Sequence, residues 1–277
     1  MIFVVNADGQ LCNRLLLLAH AYATGLETNQ ITVHVVAKDI QKDIRLFGKS
    51  LKILNLNTKK LYDLCNKVMN SLFKIRYSDR NNLNKIELKQ KKFHQKGIHI
   101  LDNWYYRDYD SLFKHRDEVI SAFRPQAEYE VKVEAFISDI KERFNEYKIV
   151  GVHIRRGDYK YWRCGKYYYS NDTYDRWMSE LVKSSNQKLI FILFSNEKIS
   201  TKDFKNCSAL IMNGPNHPIE DVYAMAKCDY IFGPPSTYSW WAAFYGGKKY
   251  LTMYSEKQSI SEQDFTFVKG EEFNPPS

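Results

Sequence analysis

The first 36 residues constrain the chain most. An apolar run with β-branched members at residues 1–6 is broken by Asn6-Ala7-Asp8-Gly9-Gln10, and a helix-length apolar segment over 11–26 and a second strand pattern at 31–36 follow. This order predicts strand, helix, strand. Parallel strands can be joined only by a crossover lying on a face of the sheet, so the opening commits the chain to an α/β architecture with covering helices.

The same grammar returns near residue 147. A strand pattern at 149–154 is followed by a helical stretch over 174–183 and a buried-strand run, Leu189-Ile190-Phe191-Ile192-Leu193-Phe194. Next come a helix over 218–228 with Pro218 in its first turn, a short strand at 229–232, and a helix over 236–245 ended by Gly246-Gly247. A helical stretch over 130–147 leads into this half, which places a domain boundary there and gives two α/β domains, 1–146 and 147–277. Residues 38–96 are rich in Lys and Asn with weak periodicity and define no clear elements, and the tail Asn274-Pro275-Pro276-Ser277 is expected to fray. With 277 residues, of which 44% are hydrophobic, the chain has enough apolar material for such cores.

The longest apolar stretches fall far short of the roughly 20 residues of a membrane span. The N-terminus reads as a strand and not as a signal peptide, so the chain is expected to be cytoplasmic. Five cysteines, odd in number and never in a Cys-x-x-Cys arrangement, point to neither a disulfide framework nor a zinc site. The formal charge of +9 favours phosphate-bearing partners, whether nucleotide, nucleic acid or anionic membrane surface.

Three segments carry chemistry, each where a strand gives way to a loop. In His153-Ile154-Arg155-Arg156-Gly157-Asp158-Tyr159, two guanidiniums stand where open α/β sheets bind ligands, and Arg offers phosphate a rigid, permanently charged fork. A salt bridge from either arginine to Asp158 is the plainer alternative. In Gly233-Pro234-Pro235-Ser236-Thr237-Tyr238-Ser239-Trp240-Trp241, a turn enters a helix capped by Ser236, and unpaired N–H groups at such a start bind phosphate. Simple capping is again the plainer reading, and Trp240 and Trp241 are expected to fill core space. In the first loop, Gly9 permits close backbone approach, while Asn13 and Arg14 lie in the first turn of the helix. The polar end of another strand, Ser195-Asn196-Glu197, could hydrogen-bond a base or ribose.

Taken in order and spacing, residues 153–159, Phe194-Ser195-Asn196-Glu197, Asp221-Val222-Tyr223-Ala224-Met225-Ala226-Lys227-Cys228 and Ser236-Thr237-Tyr238-Ser239-Trp240-Trp241-Ala242-Ala243 resemble the bacterial α1,2-fucosyltransferases. The Gly-containing first loop, and Trp104-Tyr105-Tyr106 leading to Phe123-Arg124-Pro125, fit the same pattern. The first loop departs from it at Cys12 and Arg14, and Gly233-Pro234-Pro235 stands where a more polar turn is usual. The resemblance implies two Rossmann-like domains facing a cleft (GT-B-like), an acceptor-side domain at 1–146 and a nucleotide-sugar domain at 147–277. It further implies a GDP-fucose donor, no required metal or cofactor, and transfer to a glycan with inversion. Arg155 would bind the donor diphosphate beside His153 and Arg156, with Ser236 and Thr237 completing the phosphate site.

Departure of a diphosphate leaves negative charge that a metal or fixed cations and N–H groups must stabilise, and no Asp-x-Asp pair stands near either motif. Asp8, His20 and Asp158 are the candidates for a base, with Asp158 better suited to orienting an arginine. A transferase using another sugar nucleotide would need the same phosphate hardware. Nucleic-acid binding, raised by Tyr159-Lys160-Tyr161-Trp162-Arg163 and Lys166-Tyr167-Tyr168-Tyr169, lacks any recognised motif, and a solvated basic loop explains those charges. The basic excess better suits peripheral association with the inner membrane face near lipid-linked glycans.

Overall fold

A computed structural model describes residues 1–5, 9–36, 40–55, 97–101, 106–270 and 272–273. Asp8, Trp104-Tyr105, Cys65, much of 38–96 and the tail 274–277 lie outside the described residues. The chain divides into two compact units, Met1–Gln126 and Ala127–Ser277. The helix read from sequence at 130–147 is observed at Ala127–Arg143 and falls within the second unit.

In the first unit, β1 (Ile2–Val4) leads to α1 (Leu11–Glu27) and β2 (Thr32–Val36), so the opening strand, helix, strand pattern holds with bounds shifted by one or two residues. With β4 (Leu51–Asn55) and β5 (His99–Leu101) they form a parallel sheet of order β4-β2-β1-β5. The α1 helix is largely apolar and buried on every side from Leu15 to Gly25, which is the behaviour expected of a helix enclosed by neighbours. The helices α2 (Tyr109–Lys114) and α3 (Arg116–Ala122) follow, and β3 (Ile44–Leu46) pairs antiparallel with β6 (Phe123–Pro125).

In the second unit, α4 (Ala127–Arg143) precedes β7 (Tyr147–Ile154), α5 (Asn171–Ser184), β8 (Lys188–Ser195) and β9 (Leu210–Asn213). The chain then adds α6 (Pro218–Met225), β10 (Tyr230–Gly233), α7 (Thr237–Gly246), β11 (Lys249–Thr252) and β12 (Thr266–Phe267). The sheet order is β12-β11-β10-β7-β8-β9, parallel except for β12. The strands after β7 are laid down on one side of it, and the chain then crosses to place β10 and β11 on the other. Loops leaving β7 and β10 at their carboxyl ends therefore diverge across a topological switch point, where open α/β sheets bind ligands.

The core of this unit is unusually aromatic. Tyr167, Tyr174, Trp177, Phe191 and Phe232 are fully buried with Val150, Val152 and Ile154, and burial of each large side chain contributes about 1.5–3 kcal/mol. Trp240 and Trp241 are likewise fully buried, as expected of core residues. α7 ends on Gly247 at φ 61°, a left-handed position one residue beyond the Gly that closes its last turn. No described helix is long and apolar enough to cross a membrane. The described cysteines Cys12, Cys164, Cys207 and Cys228 are all free thiols.

Candidate functional site

The switch point of the second unit brings together two of the segments singled out from sequence. β7 ends at Ile154, and β10 pairs beside it so closely that a Cβ on Gly233 would lie 2.6 Å from the His153 carbonyl oxygen. The turn Gly233-Pro234-Pro235 is thus pressed against the strand that carries the arginines, and Tyr159 ties the two loops by donating its hydroxyl to the Pro235 carbonyl. Burial pushes the Tyr159 phenol up to about 12, so it stays protonated and remains a donor.

The two neighbouring arginines do different work. Arg155 pairs with Asp158 at 2.8 Å and lies over the Tyr159 ring at 5.5 Å. Its side chain is 14% exposed against 54% for Asp158, so the pair holds the guanidinium at the loop while leaving the carboxylate in water. Arg156 turns inward: its guanidinium donates to the Tyr169 carbonyl and to Asn171 Oδ1 and packs over the Tyr168 ring at 4.9 Å. It is 6% exposed and fastens the start of α5 to the end of β7.

The loop itself is clamped from β8. The Arg156 N–H donates to Asn196 Oδ1 at 2.8 Å, the Gly157 N–H donates to Glu197 Oε1 at 3.1 Å, and Ser195 Oγ accepts from the Glu197 N–H at 3.2 Å. Gly157 adopts φ 61°, and a Cβ there would meet Asn196 at 2.9 Å. Asn196 and Glu197, read from sequence as contacts for base or ribose, are engaged in shaping the arginine loop.

His153 sits beneath this surface, 3% exposed. Its Nδ1 is 3.2 Å from Ser239 Oγ, its ring packs against Tyr238 at 5.2 Å, and its carbonyl accepts from the Tyr174 hydroxyl at 3.2 Å. Burial, reinforced by the Arg155 charge, depresses its pKa to about 3, so the ring is neutral at physiological pH. Ser236 caps α7, accepting from the Tyr238 N–H at 3.2 Å, and Thr237 is the half-buried first residue of the helix. Ser239 links this first turn back to His153 and, at 3.2 Å, to the Tyr250 hydroxyl.

Asp221, which opens one of the segments that carry the resemblance, takes on a particular environment in the structure. It is buried in the first half of α6, accepts from the Asn216 N–H at 2.9 Å, and burial raises its carboxyl to about 7. The start of α6 is joined to α7 by the Tyr238 hydroxyl, which donates to the Pro218 carbonyl at 2.6 Å. A buried carboxyl raised toward neutrality is a functional candidate.

In the first unit, Gly9 adopts φ 91° and folds over Asn13, whose Cβ would be 3.3 Å from a Cβ on the glycine. Asn13 and Arg14 are half-buried in the first turn of α1, their backbone N–H groups donating to the Gln10 carbonyl. His20 is fully buried, accepts the Asp108 N–H on Nδ1 at 2.9 Å, and meets the Tyr109 ring edge-on at 4.8 Å. Burial, with Arg107 adding to it, holds its pKa well below the ordinary value. The ring is therefore neutral, with its Nε2 buried and without a hydrogen-bond partner among the described residues. Among the described residues no cluster of three or more His, Cys, Asp or Glu side chains could hold a metal ion.

The fold is shared with solved fucosyltransferase structures. Fucosyltransferase NodZ from Bradyrhizobium aligns at a TM-score of 0.55 and 13% identity, covering 87% of this chain and 91% of that one. NodZ α-1,6-fucosyltransferase soaked with GDP-fucose aligns at 0.57 and 13%, covering 91% and 94%. A mutant of Arabidopsis thaliana FUT1 in complex with GDP aligns at 0.56 and 11%, covering 95% and 72%. Identities this low speak to the fold alone, which is that of the GT-B-like fucosyltransferases. No functionally curated protein matches the sequence. The profile of Glycosyl transferase family 11 matches residues 2–274, nearly the whole chain, and the protein is therefore a glycosyltransferase belonging to family 11.

Proposed function

We propose that the chain transfers fucose from GDP-fucose to a hydroxyl of a glycan, forming an α1,2 linkage with inversion at the anomeric carbon. The observation that carries this reading is the placement of Arg155, beyond β7, across one switch point from the Ser236-capped start of α7, beyond β10. A guanidinium and the N–H groups of a helix start are the donors a diphosphate requires. Two solved structures of the same fold, one soaked with GDP-fucose and one in complex with GDP, support a guanosine diphosphate donor.

In this reading catalysis rests on charge stabilisation. As the sugar–phosphate bond breaks, negative charge grows on the departing GDP, and a guanidinium already fixed by Asp158 and Tyr159 meets it without having to reorganise. We assign Asp158 to orienting Arg155, and Arg156, Asn196 and Glu197 to holding the loop that presents it. The reaction needs no metal ion and no organic cofactor in this scheme, because the fixed cation and the helix N–H groups supply the stabilisation.

Thermal shift tests the donor. GDP is expected to raise the unfolding midpoint and UDP to raise it much less, since a ligand bound only by the folded state stabilises it by an amount that grows logarithmically with the ratio of its concentration to its Kd. Equal shifts would assign a different sugar nucleotide. Linkage analysis by NMR of products from GDP-fucose and a panel of glycan acceptors then tests the α1,2 bond.

A further inference from the structure

Between the arginine loop and α5 runs a segment that the proposed chemistry does not use. From Tyr159 to Tyr169 the sequence is Tyr-Lys-Tyr-Trp-Arg-Cys-Gly-Lys-Tyr-Tyr-Tyr, with three cations and no carboxylate. Its aromatic residues divide into anchors and outward groups. Tyr159, Tyr167 and Tyr169 are buried, and Tyr159 and Tyr169 donate their hydroxyls to the carbonyls of Pro235 and Met253. Lys160, Tyr161, Arg163, Lys166 and Tyr168 are exposed, Tyr161 at 77%. At the tip, Arg163, Cys164 and Gly165 take φ of 46°, 55° and 77°, three left-handed residues in succession that fold the loop back on itself. Such a conformation persists only where the surroundings fix it, and here the buried tyrosines on either side do so.

We infer that this loop is a docking surface for an anionic lipid bilayer. Asp158, the nearest carboxylate along the chain, is taken by Arg155, and among the described residues no carboxylate pairs with Lys160, Arg163 or Lys166, whose exposed charges face solvent. Each cation is set against a ring, with Lys160 5.9 Å from the centre of Tyr161, Arg163 5.6 Å from that of Trp162 and Lys166 5.4 Å from that of Tyr167. Amphipathic Tyr and Trp rings flanked by cations suit the headgroup level of a bilayer, where hydroxyls stay wet and ring edges enter the apolar boundary.

Single-stranded nucleic acid would need open ring faces on which bases stack. Trp162 is wedged between Tyr159 and Tyr167 at 4.8 and 5.4 Å, and cations occupy a face of Tyr161 and of Tyr168. The loop leaves the carboxyl end of β7, so docking through it would bring the donor site of this unit to the bilayer surface.

The test is co-sedimentation of the full chain with phosphatidylcholine vesicles, with and without about a third phosphatidylglycerol, at about 0.1 M salt. The chain is expected to partition onto the anionic vesicles and to leave them as salt is raised. Each surface cation contributes about 1 kcal/mol, or about fivefold, so Lys160→Glu, Arg163→Glu and Lys166→Glu together should weaken partitioning by about a hundredfold or more. Tyr161→Ala should weaken it several-fold. The unfolding midpoint and its shift with GDP should not change in either variant; if the triple reversal lowers the midpoint, the corresponding Gln substitutions replace it. Equal binding to neutral vesicles, no vesicle binding by the natural chain, or anionic binding that survives the triple substitution would overturn the proposal. So would a triple variant that loses binding to a single-stranded oligonucleotide while keeping its hold on vesicles.

Discussion

The two units repeat one plan and equip it differently. In each, the first strand lies inside its sheet, later strands are added on one side, and the chain crosses to the other, so each has a switch point beside its first strand. Each places a glycine with positive φ just beyond that strand, Gly9 at 91° and Gly157 at 61°. The chemistry around the glycine then diverges. The α1 helix starts on Gln10 with no side-chain cap, whereas the second switch point has Arg155 fixed by Asp158 on one side and a Ser-capped helix on the other. Topology supplies a crevice; the side chains at the strand exits decide what it can hold.

The sharpest break in that comparison comes at Arg155. Arg155→Lys keeps a charge but removes the planar fork, and charge-assisted hydrogen bonds are worth about 1.5–3 kcal/mol each. Losing one or two should cut kcat/KM by about an order of magnitude or more while leaving the unfolding midpoint unchanged. The neighbouring Arg156→Lys should show the reverse pattern, a lower midpoint with donor affinity reduced only in step with it, because its fork holds Tyr169 and Asn171. If both substitutions lower the midpoint alike and neither moves kcat/KM independently, both arginines are structural.

This division was only half legible in the sequence. Strands β7 and β8 and helices α1, α5 and α7 could be read because apolar periodicity, Ser caps and Gly stops are local signals. So was the location of the Arg-Arg-Gly-Asp segment at a strand exit. Which arginine turns inward could not be read, because it depends on Tyr169 and Asn171, 13 and 15 residues away along the chain. Asn196 and Glu197 looked like ligand contacts for the same reason: their partners, the N–H groups of Arg156 and Gly157, become neighbours only when β8 pairs with β7. Strand β9 escaped notice because it is a short edge strand with half of its four residues exposed, leaving no run of buried positions to mark it.

Two buried histidines sharpen the comparison next, His20 in the first unit and His153 in the second. His153 has a folded pKa of about 3 against an ordinary value of 6.5, and His20 is also depressed. Below pH 6.5 the unfolded chain therefore binds protons that the folded chain refuses, so stability falls as pH falls, by about 1.4 kcal/mol per pH unit for each such ring. For His153 the loss should cease near pH 3. Urea unfolding of His153→Gln beside the natural chain should show the difference between them shrinking across this window, and His20→Gln should behave alike. A difference independent of pH would mean that the ring is charged or reaches water.

A smaller effect is expected at the capped helix. Ser236→Ala removes the acceptor of the Tyr238 N–H, and loss of such a cap costs about 1 kcal/mol. If that helix start also faces the diphosphate, GDP affinity measured by calorimetry should drop by about fivefold beyond any change in stability. An unchanged GDP affinity with a lowered midpoint would leave Ser236 as a cap and place the whole burden of anion binding on Arg155.

The smallest expected effect is the one that the charge argument depends on most. If the guanidinium of Arg155 and the N–H groups of α7 stabilise the departing diphosphate, a chelator should leave turnover where it was, because nothing it removes takes part. The measurement is the initial rate of GDP release with an acceptor in excess EDTA, against the same enzyme supplied with Mg²⁺ or Mn²⁺. A rate lost in EDTA and restored by either ion would mean that the metal carries the charge. Arg155 would then be confined to positioning, and Arg155→Lys should cost far less than an order of magnitude when the metal is present. Running the substitution and the chelator together separates the two cases: fixed protein charge predicts a large loss from the first and none from the second, and a resident metal predicts the opposite.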